Sequence, residues 1–275
     1  MVTSEPCSSQ INSVELKLNV ENQVAEVMSP FKIESKLINN SGDDLKLLRA
    51  WDNDELFIFS GEYYTHLQIK KEGEEEWRRV IEPALSIPEG GSFIYLDDQD
   101  TLAAMFYIIP VWFRAGQFEV VSSGKYKLRL AYYANPYSNV PITSNEVVVE
   151  LNPYMGIDAE AYSWLSKLKT PYFIYEAAFC GYERWGFVSF SSDGEAKLYA
   201  DQLLEKYPTS KFAPWAKLHL AYCHKFGIDP PNIIFNNKDL NKARSLAKEI
   251  SDSSTGILQL RANEFLKRSR DGSRN

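Results

Sequence analysis

The residues able to do chemistry are few and scattered. Histidine occurs three times, at His66, His219 and His224, which leaves little for acid–base catalysis or metal ligation. His219 and Cys223 are four apart and share a face if that segment is helical, but no further pair stands at zinc-like spacing. His224 lies about 140° around such a helix from His219, so the two histidines do not converge. Cys7, Cys180 and Cys223 are too few for a disulfide framework and form no CxxC pair, although helical packing would allow Cys180 and Cys223 to meet. No metal and no cofactor are expected. Two acidic clusters, Asp52-Asn53-Asp54-Glu55 and Asp97-Asp98-Gln99-Asp100, offer oxygen ligands of the kind calcium takes. Both lack the glycine and terminal glutamate of an EF-hand loop, and their plain reading is solvated loops. Asn39-Asn40-Ser41 spells a glycosylation sequon.

The phosphate-binding GxxxxGK[ST] loop, the GxSxG elbow, the HExxH helix and the GxGxxG fingerprint are all missing from the chain. The expectation is therefore a protein without catalytic residues. A hydrolase built on Asp52, Asp54, Asp97 or Asp98 is the enzymatic alternative, and would need two of these carboxylates about 5–10 Å apart in a cleft. Aromatic residues crowd between Trp164 and Trp185, with Tyr172, Phe173, Tyr175, Phe179 and Tyr182 between them. Such a cluster serves as core between helices or as the lining of a peptide or glycan groove.

The elements that would position these residues fall into two halves. Residues 1–152 hold 13 basic against 23 acidic residues and residues 153–275 hold 17 against 14, so net charges of −10 and +3 make up the total of −7. An acidic first half opposes phosphate-backbone binding and +3 is too weak to suggest it, so no nucleic-acid partner is expected. The longest apolar run, Leu102 to Phe113, contains Pro110 and is too short to span a bilayer; it reads as buried strand. Met1 to Gln10 is polar and lacks a signal core. The chain is thus expected in the cytoplasm, or outside it if a leader has been removed.

Period-2 alternation marks strands in the first half: Val14, Leu16, Leu18 and Val20 oppose Glu15, Lys17 and Asn19, and Phe31, Ile33, Ser35 and Leu37 repeat the pattern. Turns are expected at 39–42, at 72–74 within a hairpin, and at 88–91. The run Ser122 to Leu130 places Tyr126, Leu128 and Leu130 on one face behind Gly124. It resembles the corner and penultimate strand of immunoglobulin-like domains, which implies that the Tyr126 hydroxyl bonds back to the corner backbone. Ser144 to Leu151 then reads as the last strand.

After Pro153 the period becomes 3.6. Ala161, Trp164, Leu165 and Leu168 sit at relative positions 0, 3, 4 and 7, with Asp158 as the expected N-cap. The spacing recurs at Ala200, Leu203, Leu204 and Tyr207, and at Ala243, Leu246, Ala247 and Ile250. Residues Ala196 to Ala221 resemble tetratricopeptide-like helices, with Ser210 as the expected cap of the second and Pro214 in its first turn. The whole order resembles bacterial proteins that join an immunoglobulin-like module to such a helical region.

These readings predict an all-β immunoglobulin-like sandwich over residues 1–152, followed by an all-α tetratricopeptide-like hairpin domain over 153–275. The expected function is non-enzymatic binding or scaffolding, with a helical array engaging a polypeptide partner through surface positions such as Ser163, Lys167, Lys197 and Gln202. The rival binding mode is an inhibitor or ligand-binding module that recognises its target through sandwich loops.

Overall fold

The computed structural model describes residues 13–49, 65–80, 92–108, 111–114, 117–132, 141–168, 195–227 and 238–271. The chain divides into two compact units, Met1–Pro153 and Tyr154–Asn275.

The first unit is built from strands β1 (Val14–Val20), β2 (Val24–Glu26), β3 (Phe31–Asn39), β4 (Leu45–Arg49), β5 (Thr65–Lys71), β6 (Arg78–Arg79) and β7 (Ser92–Leu96). They are followed by β8 (Thr101–Ile108), β9 (Val111–Arg114), β10 (Gln117–Val120), β11 (Gly124–Tyr132), β12 (Ile142–Thr143) and β13 (Val147–Asn152). One sheet runs β1-β3-β8, and a second runs β2-β13-β11-β5-β6 with β12 also on β11. Two further ladders, β4 with β7 and β9 with β10, lie outside both. Alternation decides which side chains are inside: Val14, Leu16, Leu18 and Val20 are buried from the first sheet, and Leu67, Ile69, Tyr126, Leu128, Leu130, Val149 and Leu151 from the second.

Tyr126 is fully buried, and its hydroxyl donates to the Ser122 carbonyl oxygen at 2.8 Å. The expected corner hydrogen bond is therefore present. Gly73 turns the β5–β6 hairpin at φ 88°, a conformation a side chain would strain. The apolar run from Leu102 is divided between β8 and β9, and Met105 on β8 is exposed.

The second unit holds α1 (Gly156–Leu165), α2 (Glu195–Lys206), α3 (Ala213–Phe226), α4 (Leu240–Ser253) and α5 (Gly256–Asp271). Buried alanines at 161, 196, 200, 213, 216, 221, 243, 247 and 262 let these helices approach closely, with Leu165, Leu203, Ile250 and Phe265 filling the space between. Tyr154 meets the Phe212 ring edge-on at 4.9 Å, and Tyr222 meets Phe265 at 4.8 Å. Two expected caps are corrected. Asp158 lies inside the first turn of α1, whose N-cap is Met155, and its carboxylate accepts the Lys211 N–H at 2.7 Å. The N-cap of α3 is Phe212, while the Ser210 hydroxyl donates to the Tyr207 carbonyl. Pro214 does fall in the first turn, and Asp239, a residue not singled out by pattern, caps α4 through the Lys242 N–H at 2.9 Å.

The predicted fold class, an all-β immunoglobulin-like sandwich followed by an all-α tetratricopeptide-like array, is corrected: the chain is mixed α and β, with five helices and two main sheets among the described residues. Three physical facts lie behind the correction. The three-residue strand β2 joins β13 in parallel, a pairing that alternation along one strand does not encode. The short ladders β4–β7 and β9–β10 stand apart from the two main sheets. The 0, 3, 4, 7 spacing marks any amphipathic helix, and the helices here run from 10 to 16 residues without a constant repeat. The terms immunoglobulin-like, β-sandwich, tetratricopeptide-like and helical repeat are withdrawn with it.

Removing the Tyr126 hydroxyl leaves the Ser122 carbonyl without its buried donor. Tyr126→Phe is expected to lower stability by about 1 kcal/mol in urea unfolding, with an unchanged dependence on denaturant.

Candidate functional site

Among the described residues β1 pairs with β3 on one side only, and its other edge carries the most informative geometry. In an antiparallel pair successive residues direct both backbone groups alternately toward and away from the neighbour. Asn40 N–H donates to the Ser13 carbonyl and Glu21 N–H to the Lys32 carbonyl, so Ser13, Glu15, Lys17, Asn19 and Glu21 face β3. Val14, Leu16 and Leu18 therefore direct their N–H and C=O groups outward, although their side chains are buried.

Leu18 is met by the Asn145 side chain, whose Oδ1 accepts the Leu18 N–H at 2.8 Å while its Nδ2 donates to the Leu18 carbonyl at 3.0 Å. A carboxamide used this way stands in for one residue of a paired strand. Its neighbour Ser144 is tied to the other sheet. Ser144 N–H donates to the Leu130 carbonyl at 2.9 Å, and the Ser144 hydroxyl accepts the Leu130 N–H at 2.9 Å and donates to the Asn145 carbonyl at 2.8 Å. One dipeptide between β12 and β13 thus completes β11 on one side and clamps β1 on the other.

Beyond the clamp no hydrogen bond among the described residues meets the outward groups of Val14 and Leu16. There an open groove of about 1000 Å³ follows β1 from Ser13 to Asn19, with Thr143, Ser144 and Asn145 on its far side and Glu34, Lys36 and Asn40 at its rim. Its charges alternate. Glu15 and Lys17 pair at 3.2 Å on the exposed face of β1, and Asn19 donates to Glu34 at 3.3 Å. Lys32 is held above the usual lysine range chiefly by its hydrogen bond to Glu21, with help from Glu34. These pairs are solvent-exposed and exchange partners at small cost.

The structure disperses the residues that sequence brought forward. Asp52, Asp54 and Glu55 lie outside the described residues, as do Cys7, Cys180 and the aromatic residues from Tyr172 to Trp185; Trp164 itself packs on Tyr199 and Tyr207 at 6.4 and 6.2 Å. The second acidic cluster is used for chain reversal. Asp98 accepts from Gly42 N–H at 2.8 Å and from the Gln99 amide at 3.2 Å, while Gln99 takes φ 68°. Asn39 is fully buried with Nδ2 donating to the carbonyls of Asp43, Leu96 and Asp97, so its amide nitrogen is occupied and the sequon serves as a turn lock. Among the described residues no three His, Cys, Asp or Glu side chains gather as metal ligands. The His66 backbone pairs with Ala131 in the β5–β11 ladder. His219 and Cys223 are both buried on α3, and His224 is partly buried. Among the proposed surface positions, Ser163 and Lys167 are exposed, while Lys197 and Gln202 are half-buried.

Asn145 was missed as a site residue because Ser144 to Leu151 reads as one strand, whereas β13 begins only at Val147 and leaves Ser144 and Asn145 outside it. The usable signal was Ser144-Asn145, two short polar side chains between apolar strand runs, each able to imitate backbone.

No family model matches the chain, and no curated protein does. Among solved structures, a β-glucosidase from Erythrobacter marinus matches with 13% identity over 51% of this chain and 15% of its own, at a TM-score of 0.30. A Pseudomonas fluorescens alkylpurine DNA glycosylase matches with 10% identity over 51% and 30%, also at 0.30. The CARDB domain of a Pyrococcus furiosus protein matches with 10% identity over 52% and 94%, at 0.26. The chain spans only 15% of the β-glucosidase, and likeness at this level carries no functional argument.

Burial lowers the His219 pKa from the ordinary 6.5 to about 4. Between these values the unfolded chain binds a proton that the folded chain refuses, so the His219 contribution is complete above about pH 6.5 and is lost as pH falls toward 4. From pH 7 to pH 5 this costs about 2 kcal/mol. Urea unfolding at both pH values should show a loss of that size in the wild type and a smaller one in His219→Gln.

Proposed function

We propose that the chain is a polypeptide-binding protein without catalytic chemistry of its own, and that the open edge of β1 takes up an extended segment by strand addition. The observation that carries this reading is the pair of outward backbone positions, Val14 and Leu16, opening onto a groove beside the Asn145 clamp. Main-chain hydrogen bonds supply the attraction in such binding, and alternate side chains supply the selection. An antiparallel segment opposite Leu16 would place one residue toward the groove and its two neighbours against Glu15 and Lys17. A Glu-apolar-Lys triplet, read from N to C terminus, sets a glutamate opposite Lys17 and a lysine opposite Glu15. The contact moves from the helices, where sequence patterning placed it, to a strand edge. The hydrolase alternative loses Asp98 to the 97–100 turn.

A synthetic heptapeptide centred on Glu-Val-Lys tests this by amide NMR. Shifts are expected at Val14 and Leu16, and methylating the amide nitrogen of the peptide's Val should weaken binding at least tenfold, since that N–H would donate to the Leu16 carbonyl. Asn145→Ala frees the groups of Leu18 and should strengthen binding of a longer peptide. Equal binding of the methylated peptide, or shifts confined to the helices, would contradict strand addition.

A further inference from the structure

The outer face of the second sheet presents a cationic surface in an otherwise acidic unit. Tyr126, Leu128 and Leu130 are buried, so Lys125, Lys127 and Arg129 of β11 project from the opposite face. Burial of Leu67 and Ile69 likewise turns Gln68 and Lys70 of β5 outward. The β5–β11 register sets Lys70 directly opposite Lys127 and Gln68 opposite Arg129. Like charges in directly facing positions weaken a sheet, and the partial remedies are visible. Lys127 pairs with Glu146 at 2.8 Å, and Glu146 is held below the usual carboxylate range by that bond. Lys70 and Arg129 rest 4.7 and 4.1 Å from the centre of the Trp77 ring, and Arg129 Nε donates to Gln68 Oε1 at 2.8 Å.

Four cations, Lys70, Lys125, Lys127 and Arg129, thus share a face with three carboxylates, Glu72, Glu146 and Glu150; Lys125 has Glu150 opposite it in the β11–β13 register and Glu72, whose N–H donates to the Lys125 carbonyl, on its other side. The facing lysines stand one strand spacing apart, about 5 Å, which is the reach of neighbouring carboxylates on a peptide. Trp77 fixes the Lys70 and Arg129 stems, so less side-chain freedom remains to be lost on binding. Residues 1–152 carry a net charge of −10, which repels a long, uniformly charged polyanion such as nucleic acid but tolerates a short acidic stretch on a local cationic patch.

We propose that this face docks an acidic polypeptide segment, with Lys70, Lys127 and Arg129 meeting its carboxylates and Trp77 holding two of these cations in place. It is a contact separate from the β1 edge, and it stands whether or not strand addition occurs there. The probe is a fluorescein-labelled octapeptide alternating Glu and Ser, titrated with the full chain and followed by anisotropy at low and at physiological salt. Binding that weakens as salt rises is expected, with at least a tenfold loss in the Lys70→Glu/Lys127→Glu double variant. Lys248→Glu/Lys267→Glu, at exposed positions of the helical unit, makes the same change in net charge and should retain most of the affinity. Circular dichroism melting of each variant verifies folding, and Trp77→Phe, which leaves every charge in place, should weaken binding severalfold. The proposal is overturned if the peptide fails to bind, if both double variants lose affinity equally, or if a single-stranded oligonucleotide binds the face more tightly than the peptide.

Discussion

Ser144 and Asn145 hold together the strand unit at the point where its two main sheets approach. Ser144 behaves as a continuation of β12 on Leu130, using its hydroxyl as well as its backbone, and Asn145 presents a carboxamide to Leu18. Two side chains of different reach satisfy two strands that belong to different sheets. The core follows from this tie: Leu16 and Leu18 from β1 and Leu128 and Leu130 from β11 are all buried, and burial of such side chains contributes about 1.5–3 kcal/mol each.

The same tie determines where the sheet remains open. Unprotected edges invite pairing with other chains, and natural sheets blunt them with charge, bulges or covering groups. Here the cover is one residue long. Among the described residues Leu18 is closed, Val14 and Leu16 are open, and the charged pair Glu15–Lys17 stands on the exposed side. A short opening limits indiscriminate pairing yet leaves room for a segment whose charges are ordered to match. The proposed polypeptide binding rests on backbone geometry and on no cluster of reactive side chains.

Alternation in residues 14–20 and 31–37 was enough to locate β1 and β3 and to name their buried side chains, because a half-buried strand writes its exposure pattern directly into residue type. The face of Tyr126 was legible from alternation with Leu128 and Leu130, whereas its hydroxyl bond, met by the Ser122 carbonyl, was expected only from the resemblance of Gly124-Lys125-Tyr126 to a tyrosine corner. The parallel addition of β2 to β13 left no such trace, since partner choice depends on residues far apart in the chain. The positions of α1, α2 and α4 were readable from their apolar stripes and that of α5 was not, whereas the expected cap at Asp158 gave way to a tertiary contact with Lys211. The candidate edge was hidden for a different reason. It consists of backbone groups, and any residue at positions 14 and 16 would carry them; only the register with β3 and the reach of Asn145 distinguish the open positions from the closed one.

Amide hydrogen exchange resolved by residue measures that distinction most directly. Leu16 and Leu18 both bury their side chains on the same strand, so burial alone would protect them alike. The account predicts slow exchange at Leu18, whose N–H is held by Asn145, and much faster exchange at Leu16 and Val14 under conditions where the fold is intact. Equal protection at Leu16 and Leu18 would show that the β1 edge is already closed, and would contradict its use as a binding edge.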